Sequence, residues 1–466
     1  ERKNYFMSYK TYTAPEYYKR FSCKCGKCRN TCCGGWGISL TMSEYYRLIG
    51  LDCSPELRLK LDCAFYRPEN PSPERFALIN RRFDGKCPLQ RDDGLCGIQK
   101  ECGEDVISSV CRYYPRSIKN TAPPECCCSS SCEAVIELLL NIKTPLRFES
   151  LSLNFEIPED ELSEEYAEEK IKYERLKNMH FDPELIKNLT GESTIIRKTS
   201  TAIIQNRKFS LSDRFSLLRS FLSQIDSVFI CADDDTNKLK EDDTNKLKKE
   251  KSPSEFSKGQ SLKTICDMFA PEYSEAADNF AAVSNSQLPQ NISQYLCDSA
   301  KLINLFSKYS QSVSELAKST FKSLDVAFDN NENPIITDNV IHKYVSAEKI
   351  FEEYFESGEI IFEQILVNNM FYSRSPIENI TEKEMFQNYH IFEDRARGIE
   401  ALYCMLKFIT LSAIREEYDQ STEKERIFNA FTDSAAALFR MAEHTSFLQN
   451  CLYFLNREKL FAELNK

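Results

Sequence analysis

Fifteen of the chain's 20 cysteines fall between Cys23 and Cys132, and this clustering limits the possible folds more than any other feature. Such a density of thiols has two physical outlets, disulfides or soft metals. Disulfide frameworks belong mainly to small secreted domains, whereas this chain has 466 residues and opens Glu1-Arg2-Lys3-Asn4 with no apolar run behind the basic residues. No apolar stretch approaches the ~18 residues of a membrane span, and runs such as Ala134–Leu140 have the length of a core helix. The expectation is a cytoplasmic protein without a membrane partner, whose clustered thiols hold metal. Cys231, Cys266, Cys297, Cys404 and Cys451 lie apart and read as small buried hydrophobes.

The thiols come in three groups. The first runs Cys23-Lys24-Cys25-Gly26-Lys27-Cys28 and on to Cys32-Cys33-Gly34-Gly35-Trp36; the second comprises Cys87, Cys96, Cys102 and Cys111; the third is Cys126-Cys127-Cys128 with Cys132. Both zinc and iron–sulfur clusters bind thiolates at such density. Cys25 and Cys28 form one zinc-style pair, with no comparable pair after it and no histidine in the first 179 residues. Irregularly spaced thiolates from several loops suit an iron–sulfur cluster better. Adjacent Cys32 and Cys33 should point in divergent directions and not share one iron. The surplus cysteines are open to three readings: support for the ligands, a second site, or packing.

Beyond this region the sequence becomes helical, so the fold class expected is mainly α, a helical body with an irregular cysteine-rich metal-binding N-terminal subdomain. The aromatic-rich residues 1–22 should pack rather than trail, and Thr41-Met42-Ser43-Glu44 is a capping box. The irregular stretch from Cys23 to Pro124 has little apolar surface to bury by itself, which implies that metal organises it. Glu133–Asn141 reads as a short buried helix, Phe148–Ile157 as an extended segment and Asp160–Met179 as a charged helix. Leu211, Phe215, Leu218, Leu222 and Ile225 form one helical stripe, and Ile399, Leu402, Leu406 and Ile409 another, with a helix across Ser346–Asn368 between them. Asp234–Lys240 reads DDTNKLK and recurs at Asp242–Lys248, a charged duplication expected in a disordered loop. The domains drawn are 1–145, cysteine-rich and cluster-binding; 146–232, helical; 233–258, the disordered loop; and 259–466, C-terminal and helical.

Residues 1–150 hold 23 Lys and Arg against 18 Asp and Glu, and the remainder 37 against 53, so a mildly basic N-terminal third precedes an acidic body within the overall −11. Neither part carries the basic stripe of a nucleic-acid binder.

Phe21, Cys23, Cys28, Cys32, Cys33 and Trp36 together resemble the opening motif of flagellin lysine-N-methylases. The same family's order continues in Cys87-Pro88-Leu89, in Gly94-Leu95-Cys96 with Ile98-Gln99, in Cys111-Arg112 with Tyr114-Pro115-Arg116, and in Cys132-Glu133-Ala134, where Glu133 stands in the place usual for proline. The resemblance covers about residues 15–140, with a weaker likeness around Asn368-Asn369-Met370-Phe371. It implies methylation of flagellin lysines with S-adenosylmethionine and a 4Fe-4S cluster as cofactors. The metal ligands would come from Cys23, Cys28, Cys32, Cys33, Cys87, Cys96, Cys111 and Cys132, with Cys25, Cys102, Cys126, Cys127 and Cys128 additional to the pattern.

Methyl transfer to lysine needs a neutral amine, yet the free side chain has a pKa of about 10.4, so the site must desolvate the ammonium or offer a base. Arg112 and Arg116 are candidates to bind the cofactor carboxylate, since guanidinium matches its geometry; pairing with nearby acids or support of an anionic cluster are their other uses. No Gly-rich strand-to-helix turn marks a Rossmann cofactor site, and Cys28 and Cys32 are followed by Gly35 where a radical enzyme of the S-adenosylmethionine type would place a third cysteine. The cofactor would then sit on an incompletely ligated iron or in a pocket beside the cluster. His180, His342, His390 and His444 stand isolated and are assigned to surface or core. Two other classes stay open: a non-catalytic zinc- or iron–sulfur-binding module, and an adaptor whose helices bind flagellin.

Overall fold

The computed structural model describes residues 9–34, 37–119, 121, 123–155, 183–233, 262–269, 292–308, 311–377 and 390–461. The charged helix at 160–179, the duplicated loop after Asp233, Trp36 and His180 lie outside them. Among the described residues there are fifteen α-helices and nine short strands, so the chain is mainly α, with a cysteine-rich N-terminal region.

The aromatic N-terminal stretch becomes β1 (Lys10–Pro15). Then come β2 (Ser39–Leu40), α1 (Met42–Ile49), α2 (Pro55–Asp62), β3 (Phe65–Tyr66), β4 (Ala77–Ile79), α3 (Gly97–Cys102) and α4 (Ser109–Tyr113). These short elements do build a core of their own, contrary to the expectation of little apolar burial: Leu40, Met42, Leu48, Leu61 and Phe76 are buried in a cluster drawn from residues 38–107. The capping box at Thr41 and Glu44 forms as expected.

β5 (Arg116–Lys119), β6 (Glu125–Cys128), α5 (Glu133–Leu140) and β7 (Phe148–Leu153) follow. A four-stranded sheet runs β5-β6-β1-β7, with β1 parallel to β6 and antiparallel to β7 over Lys10↔Leu153 to Pro15↔Phe148. Tyr12, Tyr17, Tyr18 and Phe21 are buried in the large core that also takes Val135, Leu139 and the body helices. The 145/146 boundary drawn on composition therefore lies within the reach of one sheet and one core.

The body comprises α6 (Pro183–Ile204), α7 (Leu211–Asp233), α8 (Leu262–Phe269), α9 (Ile292–Ser307), α10 (Gln311–Leu324), β8 (Ala327–Phe328), β9 (Pro334–Ile335), α11 (Asp338–Tyr354), α12 (Glu359–Tyr372), α13 (Ile391–Tyr418), α14 (Lys424–His444) and α15 (Phe447–Glu458). Both apolar stripes fall on single helices, and α13 is the hub, packed by α7, α10, α11 and α14. The helix expected across Ser346–Asn368 is two helices. They part at Phe355–Gly358, where Gly358 takes φ +48°, a backbone region open to glycine at little cost.

Helix α12 lies within the large core, packed against α5, β6, α6 and α13. It is buried along its length and carries Glu363, Gln364, Asn368 and Asn369 inward, so each polar group needs a partner. Glu363 takes Arg207 and Arg214, each at 2.7 Å. Asn368 and Asn369 turn towards the cysteine-rich region.

Candidate metal centres and the adjoining polar cleft

Backbone stitching brings four of the motif cysteines together. Cys87 donates its N–H to the Cys33 carbonyl at 2.8 Å, and Gly97 donates to Leu89 at 2.8 Å. Single bridges tie Gly34 to Lys86 and Gln90 to Cys96. Cys111 arrives on α4, which Glu44 of the capping box anchors by accepting from the Ser109 N–H and hydroxyl, each at 2.6 Å. The Cys111 thiol thereby comes within electrostatic reach of Cys96, Cys33 and Cys87.

Glu133 organises the rest. Its side chain is 1% exposed, and it accepts from Lys24 at 3.0 Å, from the Asn30 N–H at 3.1 Å and from the Arg29 N–H at 3.3 Å. This clips the loop of residues 23–30 onto the start of α5. The Cys132 thiol sits there, accepting from the N–H groups of Ala134 and Val135, with Cys28 and Cys23 as its thiol neighbours. Glu133, which departs from the family's usual proline, supplies the fastening. Gly26 is required in this loop, because a Cβ there would come 2.9 Å from the Asp93 carbonyl.

Cys32 and Cys33 differ from expectation in one respect. Their thiols interact directly instead of diverging, since the turn folds both towards the same interior. Their further neighbours nevertheless differ: Cys32 reaches Cys23 and Cys111, while Cys33 meets Arg81. Of the additional cysteines, Cys126, Cys127 and Cys128 are buried in β6, and Cys25 is exposed. Cys266, Cys404 and Cys451 are buried as small hydrophobes, whereas Cys297 is half-buried.

The donor set suits an anionic metal–sulfur group. Burial pushes Cys87 up to about 11, Cys111 to about 12 and Cys132 to about 11, so the thiols keep their protons until a metal displaces them. Arg81 lies beside Cys87, Cys33 and Cys111, and its Nε and Nη2 are buried with no acceptor among the described residues. An unsatisfied buried guanidinium is costly, and thiolate or sulfide is the acceptor chemistry at hand. Zinc bound at ~2.3 Å by four sulfurs would draw them to within about 4 Å of one another. Among the described residues no three cysteine sulfurs lie within 4.8 Å of each other.

Arg112 pairs with Asp105 at 3.0 Å and lies over the Tyr113 ring. Arg116 stacks over Phe21 at 4.8 Å and Tyr18 at 5.8 Å. Asp226, His390 and Glu393 converge at the start of α13, where Asp226 accepts the N–H groups of Phe392 and Glu393, each at 2.9 Å; this is an N-cap, and His390 is not isolated.

Sequence reasoning missed a buried polar cluster directly before Cys132 in the chain. The loop Ser129-Ser130-Ser131, directly before Cys132, meets the end of α14. Ser129 Oγ donates to Glu443 Oε2 at 2.5 Å, Asn369 Nδ2 donates to Glu443 Oε1 at 3.0 Å, and Ser131 Oγ lies 2.9 Å from His444 Nε2. Tyr114 Oη is 3.0 Å from Ser131 Oγ. Asn368 donates to the Cys128 carbonyl and to Ser130 Oγ, both at 2.9 Å, and accepts from Tyr17. Burial raises Glu443 to about 7 against the pull of its donors, and burial with Arg440 nearby lowers His444 to about 4. A carboxylate poised at neutrality beside a neutral imidazole can accept and relay a proton. Only the Asn368-Asn369 likeness pointed here; Glu443 and His444 stand in no motif, and His444 is a cleft residue instead of an isolated one.

The geometry defines a mainly helical protein in which a cysteine-rich region adjoins a buried polar cluster around Glu443. Residues 197–393 match the FliB lysine N-methylase C-terminal domain. The chain is 29% identical over 107 residues to a lysine-N-methylase of Salmonella typhimurium strain LT2, covering 23% of this chain and 26% of that protein. It is 28% identical over 107 residues to the lysine-N-methylase of Salmonella choleraesuis strain SC-B67, with the same coverage. A flagellar biosynthetic protein FliU of Salmonella muenchen is 29% identical over 107 residues, 23% of this chain and 63% of that one. The chain is similar to lysine-N-methylases over these stretches, and its matched stretch spans about a quarter of the length of the lysine-N-methylases (26%). No solved structure matches the chain. Among the described residues no helix is long and apolar enough to cross a membrane.

Proposed function

We propose that the protein N-methylates lysine side chains of flagellin in the cytoplasm, with S-adenosylmethionine as methyl donor and a 4Fe-4S cluster on its N-terminal thiols. The observation that carries this reading is the family match over residues 197–393, because that stretch contains Asn368 and Asn369, which hold Ser130 and Glu443 against the cysteine-rich region.

The donor supplies an electrophilic methyl group. The chain's own task is to present an uncharged amine, and a lysine ammonium with a pKa of about 10.4 must first lose a proton. Glu443, held near neutrality, accepts it at a carboxylate oxygen; Ser129 and Asn369 fix that carboxylate by donating to Oε2 and Oε1 respectively. Neutral His444, bonded to Ser131, extends the path, and the Tyr114 and Tyr372 rings flank the imidazole at 6.4 and 6.2 Å. The thiols hold the cluster, with Arg81 as its counter-charge.

The test is methyl transfer from labelled S-adenosylmethionine to flagellin by the anaerobically reconstituted chain. Label on lysine Nε is expected, and Glu443→Gln should lower the rate at pH 7 by about 10²-fold. Folded, metal-loaded protein that binds flagellin yet transfers no label would overturn the enzymatic reading and leave an adaptor.

A further inference from the structure

Glu125, buried in β6, has more cation around it than its charge requires. It accepts from Arg197 Nη1 at 2.7 Å and from Nη2 at 3.0 Å, a bidentate pair that neutralises it. The Arg374 guanidinium lies against the same carboxylate, with Nε 3.3 Å from Oε2. The Nε groups of both arginines are buried and donate no hydrogen bond among the described residues. Solvent reaches this corner from the Arg374 side, whose side chain is 20% exposed. Two guanidiniums on one carboxylate leave an excess of charge that a second anion offsets. We infer that Arg374, backed by Arg197, binds the carboxylate of S-adenosylmethionine and so fixes the amino-acid end of the methyl donor. The inference rests on the proposed use of that donor and deepens it by naming the residues that hold it.

The backbone of Arg374 points the same way. Helix α12 ends with the Ser375 N–H donating to the Met370 carbonyl at 2.9 Å and the Arg374 N–H to that of Phe371 at 3.2 Å. These are the paired bonds of a Schellman stop, whose left-handed residue is usually glycine. Arg374 takes that position at φ +52°, where a Cβ carries a cost that glycine avoids. Closing the helix does not call for an arginine, so the reason for one lies in its side chain. Guanidinium offers parallel N–H groups that match a carboxylate. Arg112 and Arg116, the candidates read from sequence, are engaged elsewhere: Arg112 pairs with Asp105 at 3.0 Å and Arg116 stacks on Phe21 at 4.8 Å. The corner also adjoins the Glu443 cluster along α12. Asn369 on that helix donates to Glu443, and the Tyr372 ring lies 6.2 Å from the His444 imidazole, two residues before Arg374. Both Arg197 and Arg374 fall within the stretch that matches the FliB lysine N-methylase C-terminal domain.

The test is calorimetric titration of the full, anaerobically reconstituted chain with S-adenosylhomocysteine and with its decarboxylated analogue, which lacks only the carboxylate. Wild type should prefer S-adenosylhomocysteine by about 10- to 100-fold, the worth of charge-assisted hydrogen bonds to one carboxylate. Arg374→Gly should erase that preference by weakening S-adenosylhomocysteine alone. Its melting temperature should hold or rise, because glycine fits the left-handed turn and Glu125 keeps its bidentate pair with Arg197. An arginine with a purely structural role predicts the opposite, a lower melting temperature and an unchanged preference. Should the glycine variant fail to fold, Arg374→Asn replaces it, since asparagine also tolerates this conformation. A preference that survives in the folded variant, equal weakening of both ligands, or a wild type indifferent to the carboxylate overturns the inference. Methyl transfer is assayed on the same samples. Transfer by a wild type indifferent to the carboxylate sinks this inference but not the function, whereas carboxylate-dependent binding without transfer does the reverse.

Discussion

The helical body and the cysteine-rich layer reach order by different routes. In the body, Leu211, Phe215, Leu218, Leu222 and Ile225 recur at helical spacing and all are buried, so one face of one helix meets the next. In the layer, strands of two or three residues and helices of five to eight enclose a core drawn from residues 38–107. No element there is long enough to stand alone. Its cohesion comes from that small core, from backbone stitches, and from Glu44 and Glu133 reaching across loops. The body is held by apolar area, whereas the layer is held at points. A structure held at points depends on what occupies them.

Metal removal should therefore produce the largest effect, and an unequal one. After chelation under reducing conditions, hydrogen exchange should accelerate throughout residues 38–111 and remain slow in α13. Equal acceleration in both regions would show that the layer and the body are one cooperative unit. Within the body, Leu406→Ala should cost about 2–5 kcal/mol, because Leu406 is fully buried in the hub helix. It should leave the iron content unchanged. Lost iron in a folded Leu406→Ala protein would break the division from the other side.

The same contrast decides how much could be read from sequence. Periodicity announced α7 and α13, because a side chain every three or four residues is a local signal. Composition announced the thiol region, since cysteines clustered in one stretch are visible in the sequence itself. The polar cleft gave no local signal. Ser129, Asn369 and Glu443 are far apart in the chain, and what distinguishes Glu443 from any surface glutamate is burial, which only the packing of α12 and α14 creates. Similarly, Glu133 looked like a departure from a motif, yet it is the carboxylate that fastens the loop of residues 23–30. The break in the helix expected across Ser346–Asn368 was carried by a single glycine.

The polar cluster around Glu443 ties α12 and α14 to the loop before Cys132, so its protonation tests that junction. Glu443 is raised to about 7, which makes the folded state the better proton binder above the unfolded carboxyl pKa; its contribution to stability falls as pH rises from about 4.5 to 7. His444 is lowered to about 4, so the unfolded state binds the proton more readily, and its contribution rises with pH from about 4 to 6.5. Across the shared window the two slopes oppose each other, each with an upper limit of about 1.4 kcal/mol per pH unit. The two contributions should nearly cancel there, leaving the wild-type slope to other groups such as Asp226, raised by burial to about 6. Relative to wild type, Glu443→Gln should make stability climb with pH, and His444→Gln should make it fall, as read from denaturation midpoints at pH 4.5 to 6.5. Identical profiles in all three proteins would remove Glu443 and His444 as a matched pair.

The smallest effect expected lies in the layer's own scaffolding. Thr41 caps α1 by accepting the Glu44 N–H, while the Glu44 carboxylate accepts the Thr41 N–H at 2.9 Å and also holds Ser109 at the start of α4. Thr41→Ala removes one cap bond, worth about 1 kcal/mol, yet leaves Glu44 able to hold Ser109. Glu44→Gln keeps the size of the side chain but weakens both grips on Ser109 and thereby the approach of Cys111. If the layer is held at points, Thr41→Ala should lower stability slightly with full iron, and Glu44→Gln should lower the iron content by loosening the approach of Cys111. Equal iron loss in both variants would mean that the helix α1 itself, and not the Glu44 bridge to α4, positions Cys111.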